Sequence, residues 1–152
     1  MLNLTIDHFM NEALSMAEQA FKNDEVPVGA IVVQDGKIIG KGSNQVIANN
    51  SVSSHAEINA INNASQTIQN YRLTNCDIYV TLEPCHMCAK AIVDARINFL
   101  YFGAFEPKTG AVQSIDQFLN REYLNHHVQF SGGHLAEPSA DLLRRFFRNK
   151  RL

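Results

Sequence analysis

Two short stretches carry most of the reactive chemistry in this chain, His55-Ala56-Glu57 and Pro84-Cys85-His86-Met87-Cys88. They offer an imidazole, two thiols and a carboxylate. Nitrogen and sulfur donors of this kind suit Zn²⁺, and three protein ligands leave the fourth tetrahedral position to water, as in a catalytic site. A structural zinc takes four protein ligands, whereas a hydrolytic one also needs a group that moves protons. With His55, Cys85 and Cys88 as ligands for one zinc, Glu57 is the spare base.

Spacing decides whether these groups can meet. Cys85 and Cys88 lie three apart at the head of a helix-periodic apolar run (Ala91, Ile92, Ala95), so both face one side of a first turn. A helix N-terminus carries partial positive charge, which favours thiolate over thiol. Pro84 marks the start of that helix. His55 and Glu57 are two apart and would diverge in mid-helix, which places His55 at the very start of its own helix. Other readings exist for each piece. A Cys-x-x-Cys can be a redox motif, and His86 could serve a closed, structural zinc as a fourth ligand. The helix turns His86 away from the cysteine face, however, and makes it a solvent-facing residue. Cys76, ahead of a strand, is expected to be a buried thiol.

The elements that position these groups follow from the pattern. At 152 residues, 45% hydrophobic and 18% charged, the chain reads as one domain with a real core. Apolar residues from Phe9 to Phe21 recur at helical spacing over about 7–22, with Thr5 or Asp7 as the expected cap. Residues 28–34 and 37–41 flank Asp35-Gly36, a strong hairpin signal. Gly40 and Gly42 are expected to loosen the chain before Asn44, and a polar loop through Ser54 delivers a helix over about 55–64. A strand at 77–81, the Cys-x-x-Cys helix to about Arg96 and a strand at 99–103 imply a parallel pair with a crossover helix, hence a layered α/β domain. Residues 104–113 read as a long functional loop. A helical turn near 116–120, a strand at 127–130 and a helix opened by Pro138 complete the chain.

Three cysteines, two of them committed to metal, make no disulfide framework and suit a reducing compartment, so a cytoplasmic location is expected. No apolar run is long enough to span a bilayer, and no signal peptide is expected. The formal net charge of -2 hides an asymmetry. Five of the 13 basic residues, Arg144, Arg145, Arg148, Lys150 and Arg151, crowd the C-terminal end, while the body is acidic. Such a tail is either a solvated helix end or a means of reaching a phosphate backbone.

The whole set of motifs resembles the bacterial-type tRNA adenosine deaminases of the cytidine-deaminase-like superfamily. The similarity runs through Glu25-Val26-Pro27-Val28-Gly29-Ala30, His55-Ala56-Glu57, the stretch from Tyr79 to Cys88, Lys108-Thr109-Gly110-Ala111 and the closing Phe146-Phe147-Arg148. The resemblance implies a three-layer α/β/α fold around a mixed sheet of about five strands. It implies His55, Cys85 and Cys88 as zinc ligands and Glu57 as proton shuttle. Asn44 matches a residue that hydrogen-bonds the flipped base, and Val28 one that packs against it. Lys108 belongs to the family's loop motif, while Phe147, Arg148 and Arg151 fall where its terminal helix meets RNA. Glu106 departs from the pattern: similar proteins carry Asp, and this loop keeps its acid with one more methylene.

The activity so implied is hydrolysis of adenosine to inosine at the wobble position of the tRNA anticodon, by a homodimer. Water activated by zinc attacks carbon 6, and Glu57 carries its proton to ring nitrogen 1 and on to the leaving ammonia. The rivals are a free-base or nucleoside deaminase for guanine or cytosine, and a zinc-stabilised RNA-binding module without catalysis. A free-base enzyme needs no basic tail, and the binding module has no use for Glu57.

Overall fold

The computed structural model of the protein describes the backbone of residues 2–151 and the side chains of 5–150. Ten elements follow one another: α1 Leu2–Lys22, β1 Gly29–Gln34, β2 Lys37–Ser43, α2 Ala56–Ile68, β3 Cys76–Leu82, α3 His86–Asp94, β4 Phe99–Ala104, a 3₁₀ turn Phe118–Asn120, β5 Gln129–Ser131 and α4 Ala136–Arg151. The strands form one sheet in the order β2-β1-β3-β4-β5. β1 runs antiparallel to β2 and β3, whereas β3, β4 and β5 are mutually parallel neighbours. The mixed five-stranded sheet and the β3–α3–β4 crossover agree with expectation.

Alternation along β1 explains the layers. Ala30 and Val32 face the cluster that α2 and α3 cover with Ala56, Ala60, Ala89 and Ile92. Ile31 and Val33 point the other way, onto Phe9, Met10 and Ala13 of α1. Successive strand residues face opposite sides, so one short strand feeds two cores. α4 lies beside α1, where Phe146 meets Phe21 edge to face at 5.9 Å. Ile78, Ile92, Leu100 and Phe102 are fully buried between the layers, each stabilising the fold by about 1.5–3 kcal/mol.

Local chemistry explains the turns. Asp35 and Gly36 both take positive φ, 51° and 77°, as a two-residue hairpin of matching twist requires. Three expectations are corrected. Thr5 and Asp7 lie inside α1, which begins at Leu2, so neither caps it. Gly40 and Gly42 do not loosen the chain; both lie within β2. An added Cβ at Gly40 would sit 2.5 Å from the Ala60 carbonyl, and one at Gly42 2.3 Å from that of Ala56. The absent side chains let α2 rest directly on the strand. Finally, α2 runs four residues past Ala64 to Ile68, while α3 ends at Asp94, two short of Arg96.

Candidate active site

Two helix starts build the floor of the site. His55 is the N-cap of α2 and Cys85 the N-cap of α3, both with extended backbone (φ -74°, ψ 157° and φ -77°, ψ 177°). A Ser or Asp at such a position would bend back to bond its own helix. Neither His55 nor Cys85 makes a capping bond, so both side chains are free to point across at each other. Nδ1 of His55 lies 3.8 Å from Sγ of Cys85 and 3.5 Å from Sγ of Cys88. The three donor atoms all fall within 4.8 Å of one another, close enough to hold one metal ion. His86, by contrast, is exposed and turned to Asp116, with Nε2 2.7 Å from Oδ2, so the solvent-facing reading of this residue holds. Cys76 is fully buried, and burial pushes its thiol up to about 11.

The electrostatics of the cluster suit a cation. The hydrogen bond from the Cys88 thiol, against burial and with help from His55, holds Cys85 down to about 3. Cys88 is pushed up as the donor of that bond and by burial. His55 is raised, chiefly by its contact with Cys85 and against burial. Buried beside them is Glu57, 4% exposed. Desolvation raises its carboxyl to about 7, against the pull of its own backbone amide.

Above this floor opens a cavity of about 490 Å³ lined by His55, Glu57, Cys85, Val28, Asn44, Val46, Leu82, Thr109 and Phe146, among others. Val28 is buried, and the Oδ1 atom of Asn44 is buried without a hydrogen-bond partner. Buried polar atoms are ordinarily paired, so an orphaned acceptor in a cavity wall is ready for a ligand. Asn59 holds that wall from behind, its Nδ2 donating to the Ser43 carbonyl at 2.8 Å.

Buried carboxylates anchor the loops around the cavity. Glu83, 2% exposed, accepts from the amides of Glu106 (3.0 Å), Val112 (3.1 Å), Gln113 (2.7 Å) and Ser114 (2.9 Å), and from the Ser114 hydroxyl. Burial pushes its carboxyl up, but these donors outweigh burial and leave it below the usual carboxylate range. Glu25, 3% exposed, accepts from the amides of Ile47 and Ala48 on the opposite loop.

The MafB19-like deaminase family model matches residues 5–151. A tRNA-specific adenosine deaminase of Agrobacterium fabrum is 46% identical over 95% of either chain. Another from Streptococcus pyogenes is 44% identical over 95% of this chain and 84% of its own. The chain belongs to the tRNA-specific adenosine deaminase family. A structure solved in a study of adenosine-to-inosine editing by tRNA deaminases at the wobble position superposes with a TM-score of 0.87 at 44% identity, covering 90% of this chain and 99% of its own. The cytidine-deaminase-like fold is therefore that of the family.

The remaining residues singled out from the deaminase motifs gather at a second place. Lys108, Phe147 and Arg148 line a groove of about 740 Å³ with Leu143 and Arg144. Phe146 is buried and Phe147 is 45% exposed. Most tail cations are already paired: Arg144 with Glu137 and Asp141, Arg145 with Asp141, Lys150 with Asp24. Among the described residues Arg148 makes no ion pair, and the side chain of Arg151 lies outside them. Glu106 accepts from the amide of Lys108 at 3.0 Å, so its longer acid closes its own turn. Spacing in the sequence did not reveal Glu25 or Glu83 as anchors, because each bonds residues 22 to 31 positions away.

Proposed function

We propose that this chain is a zinc-dependent enzyme that hydrolyses adenosine to inosine at the wobble position of a tRNA anticodon. The observation that carries this reading is the juxtaposition of a three-donor metal cluster with the buried Glu57 in one cavity, in a chain of this deaminase family. Imidazole and thiolate donors fit zinc better than harder cations, and His55, Cys85 and Cys88 would hold one ion per chain. Bound there, zinc supplies the Lewis acidity that makes water nucleophilic near neutral pH.

The chain's own groups do the rest. Val28 packs against the extruded adenine, and Asn44 offers its orphaned oxygen to it. Glu57 takes a proton from the attacking water as the bond from oxygen to carbon 6 forms. It delivers that proton to ring nitrogen 1, and then helps the carbon–nitrogen bond break so that ammonia leaves. An anticodon loop already holds unpaired bases, which makes extrusion cheap. Lys108, Phe147, Arg148 and Arg151 would hold the surrounding RNA, with Glu106 touching a neighbouring nucleotide. The whole chain would act as one catalytic domain, in the cytoplasm, as a homodimer. No helix among the described residues is long and apolar enough to cross a membrane.

The test is incubation with an unmodified anticodon stem-loop carrying a wobble adenosine, beside free adenine, cytosine and guanine. Inosine in the stem-loop is the expected product; preference for a free base would overturn the tRNA assignment and leave the deaminase chemistry standing. Light scattering should return twice the 17.0 kDa chain mass, and an active monomer would refute the dimer.

A further inference from the structure

We propose that Glu25 is a positioning residue for substrate recognition: its buried carboxylate fixes the 45–54 loop so that Ile47 stands at the cavity mouth as an apolar contact for the nucleotide next to the extruded adenosine. The proposal rests on the tRNA reading above. Glu25 is 3% exposed, and among the described residues it makes no ion pair. Its charge is met by two consecutive backbone amides, Ile47 N at 3.1 Å and Ala48 N at 2.8 Å. Successive amides around one anion form a concave nest, and here the anion is a side chain that the fold itself supplies.

The loop's other bonds among the described residues close it on itself or on α2. Gln45 N donates to Ser54, Asn49 N to Gln45 and Ser51 N to Val46, while Asn59 reaches the Ser54 carbonyl. Glu25 ties the loop to the turn between α1 and β1. That turn is built for the purpose: Asp24 takes a left-handed φ of 62°, which few non-glycine residues adopt. It sends the Asp24 carboxylate outward to Lys150 at 2.5 Å and leaves Glu25 inward.

The result is an exposed apolar residue on the cavity lining. Ile47 is 69% exposed yet lines the same cavity as His55 and Glu57. An isoleucine so exposed contributes little to the core, and its amide is pinned by a buried charge. Phe146 and Lys150 line the same cavity. Because Val28 and Asn44 are nearer burial, they face the extruded base, and the rim residue Ile47 meets what remains outside. An unstacked neighbouring base presents an apolar face of matching character.

The experiment compares metal-loaded wild type with Glu25→Ala, Glu25→Gln and Ile47→Ala. Amide hydrogen exchange at residues 45–49 should quicken about tenfold or more in Glu25→Ala, as loss of hydrogen bonds to a charged group implies. KM for the stem-loop should rise about tenfold while kcat stays within about threefold and metal content is unchanged, the signature of lost binding. Glu25→Gln, which keeps an acceptor, should fall between the two. Ile47→Ala should raise KM by about fivefold with wild-type exchange rates, a result that a merely structural Glu25 would not produce. A wild type that leaves the stem-loop unedited sinks the tRNA reading and this role with it, whatever the exchange rates. A wild type that edits the stem-loop while Ile47→Ala or Glu25→Ala matches its KM sinks this role alone.

Discussion

The floor of the cavity and the outer groove are built by opposite means. On the floor, His55, Glu57, Cys85 and Cys88 sit at the caps or first turns of two helices, so backbone geometry sets where they point. Outside it, Lys108, Phe147 and Arg148 are exposed side chains on a loop and a terminal helix that line the second groove, placed by loop anchors and flexible stems. A helix start is a rigid mount, as a catalytic constellation requires. A rim of long side chains adapts to a large, charged partner. Damage to the floor should therefore be severe, and damage to the outer groove graded.

Cys88→Ala is the severest test. It removes a donor from the cluster, so zinc measured by elemental analysis should fall from one per chain to near zero. Inosine formation should become undetectable, and stability should fall with the lost metal. A stoichiometric zinc content in this variant would refute the metal floor. Next comes Glu57→Ala, which spares the donors. Turnover should drop by about 10²–10⁴-fold, the usual contribution of a general acid–base group, with zinc retained; comparable turnover would take the proton-shuttling role away from Glu57.

Between these extremes comes Glu83. Glu83→Ala strips the acceptor from four amides and a hydroxyl of the 106–114 loop. Leaving such groups unpaired costs about 1–3 kcal/mol, which thermal unfolding should show as a Tm drop of about 3–10 °C. An unchanged Tm would mean that the loop holds itself. The mildest effect belongs to Arg148→Ala. One lost phosphate contact should weaken stem-loop binding and flatten the slope of log affinity against log salt by about 0.7–0.9. Titration of binding at several salt concentrations reads it, and an unaltered slope would place Arg148 off the RNA.

The same contrast explains what the sequence revealed. The donors of the candidate metal cluster are legible because a Pro-Cys-x-x-Cys segment and a His-x-Glu segment each specify their own backbone. The hairpin at Asp35-Gly36 and the parallel pair around α3 are legible for the same local reason. Glu25 and Glu83 were hidden because what gives each its role is a loop far along the chain, and no periodicity marks a long-range amide. The tail was legible only in part. Charge alone left it open between a solvated helix end and a phosphate contact, and the pairing of Arg144 and Arg145 with Glu137 and Asp141 on α4, and of Lys150 with Asp24 across the fold, is visible only in the structure. The structure leaves Arg148 as the tail's unpaired described cation.

Gly40 and Gly42 read as slack and proved to be contact surface, with a mechanical consequence. His55 caps the N-terminus of α2, and α2 rests on the bare backbone of β2, so the height of the helix above the sheet sets the height of His55 in the candidate metal cluster. A methyl group at Gly42 would have to clear the Ala56 carbonyl, now 2.3 Å from where it would stand. Real side chains keep beyond 3.0 Å of such an atom, so the helix would lift by several tenths of an ångström at the end that bears His55. Metal coordination tolerates errors of only about 0.2 Å. The underside of the helix thus works as a fulcrum, through which a strand position would tilt the His55 donor of the candidate metal cluster without touching it.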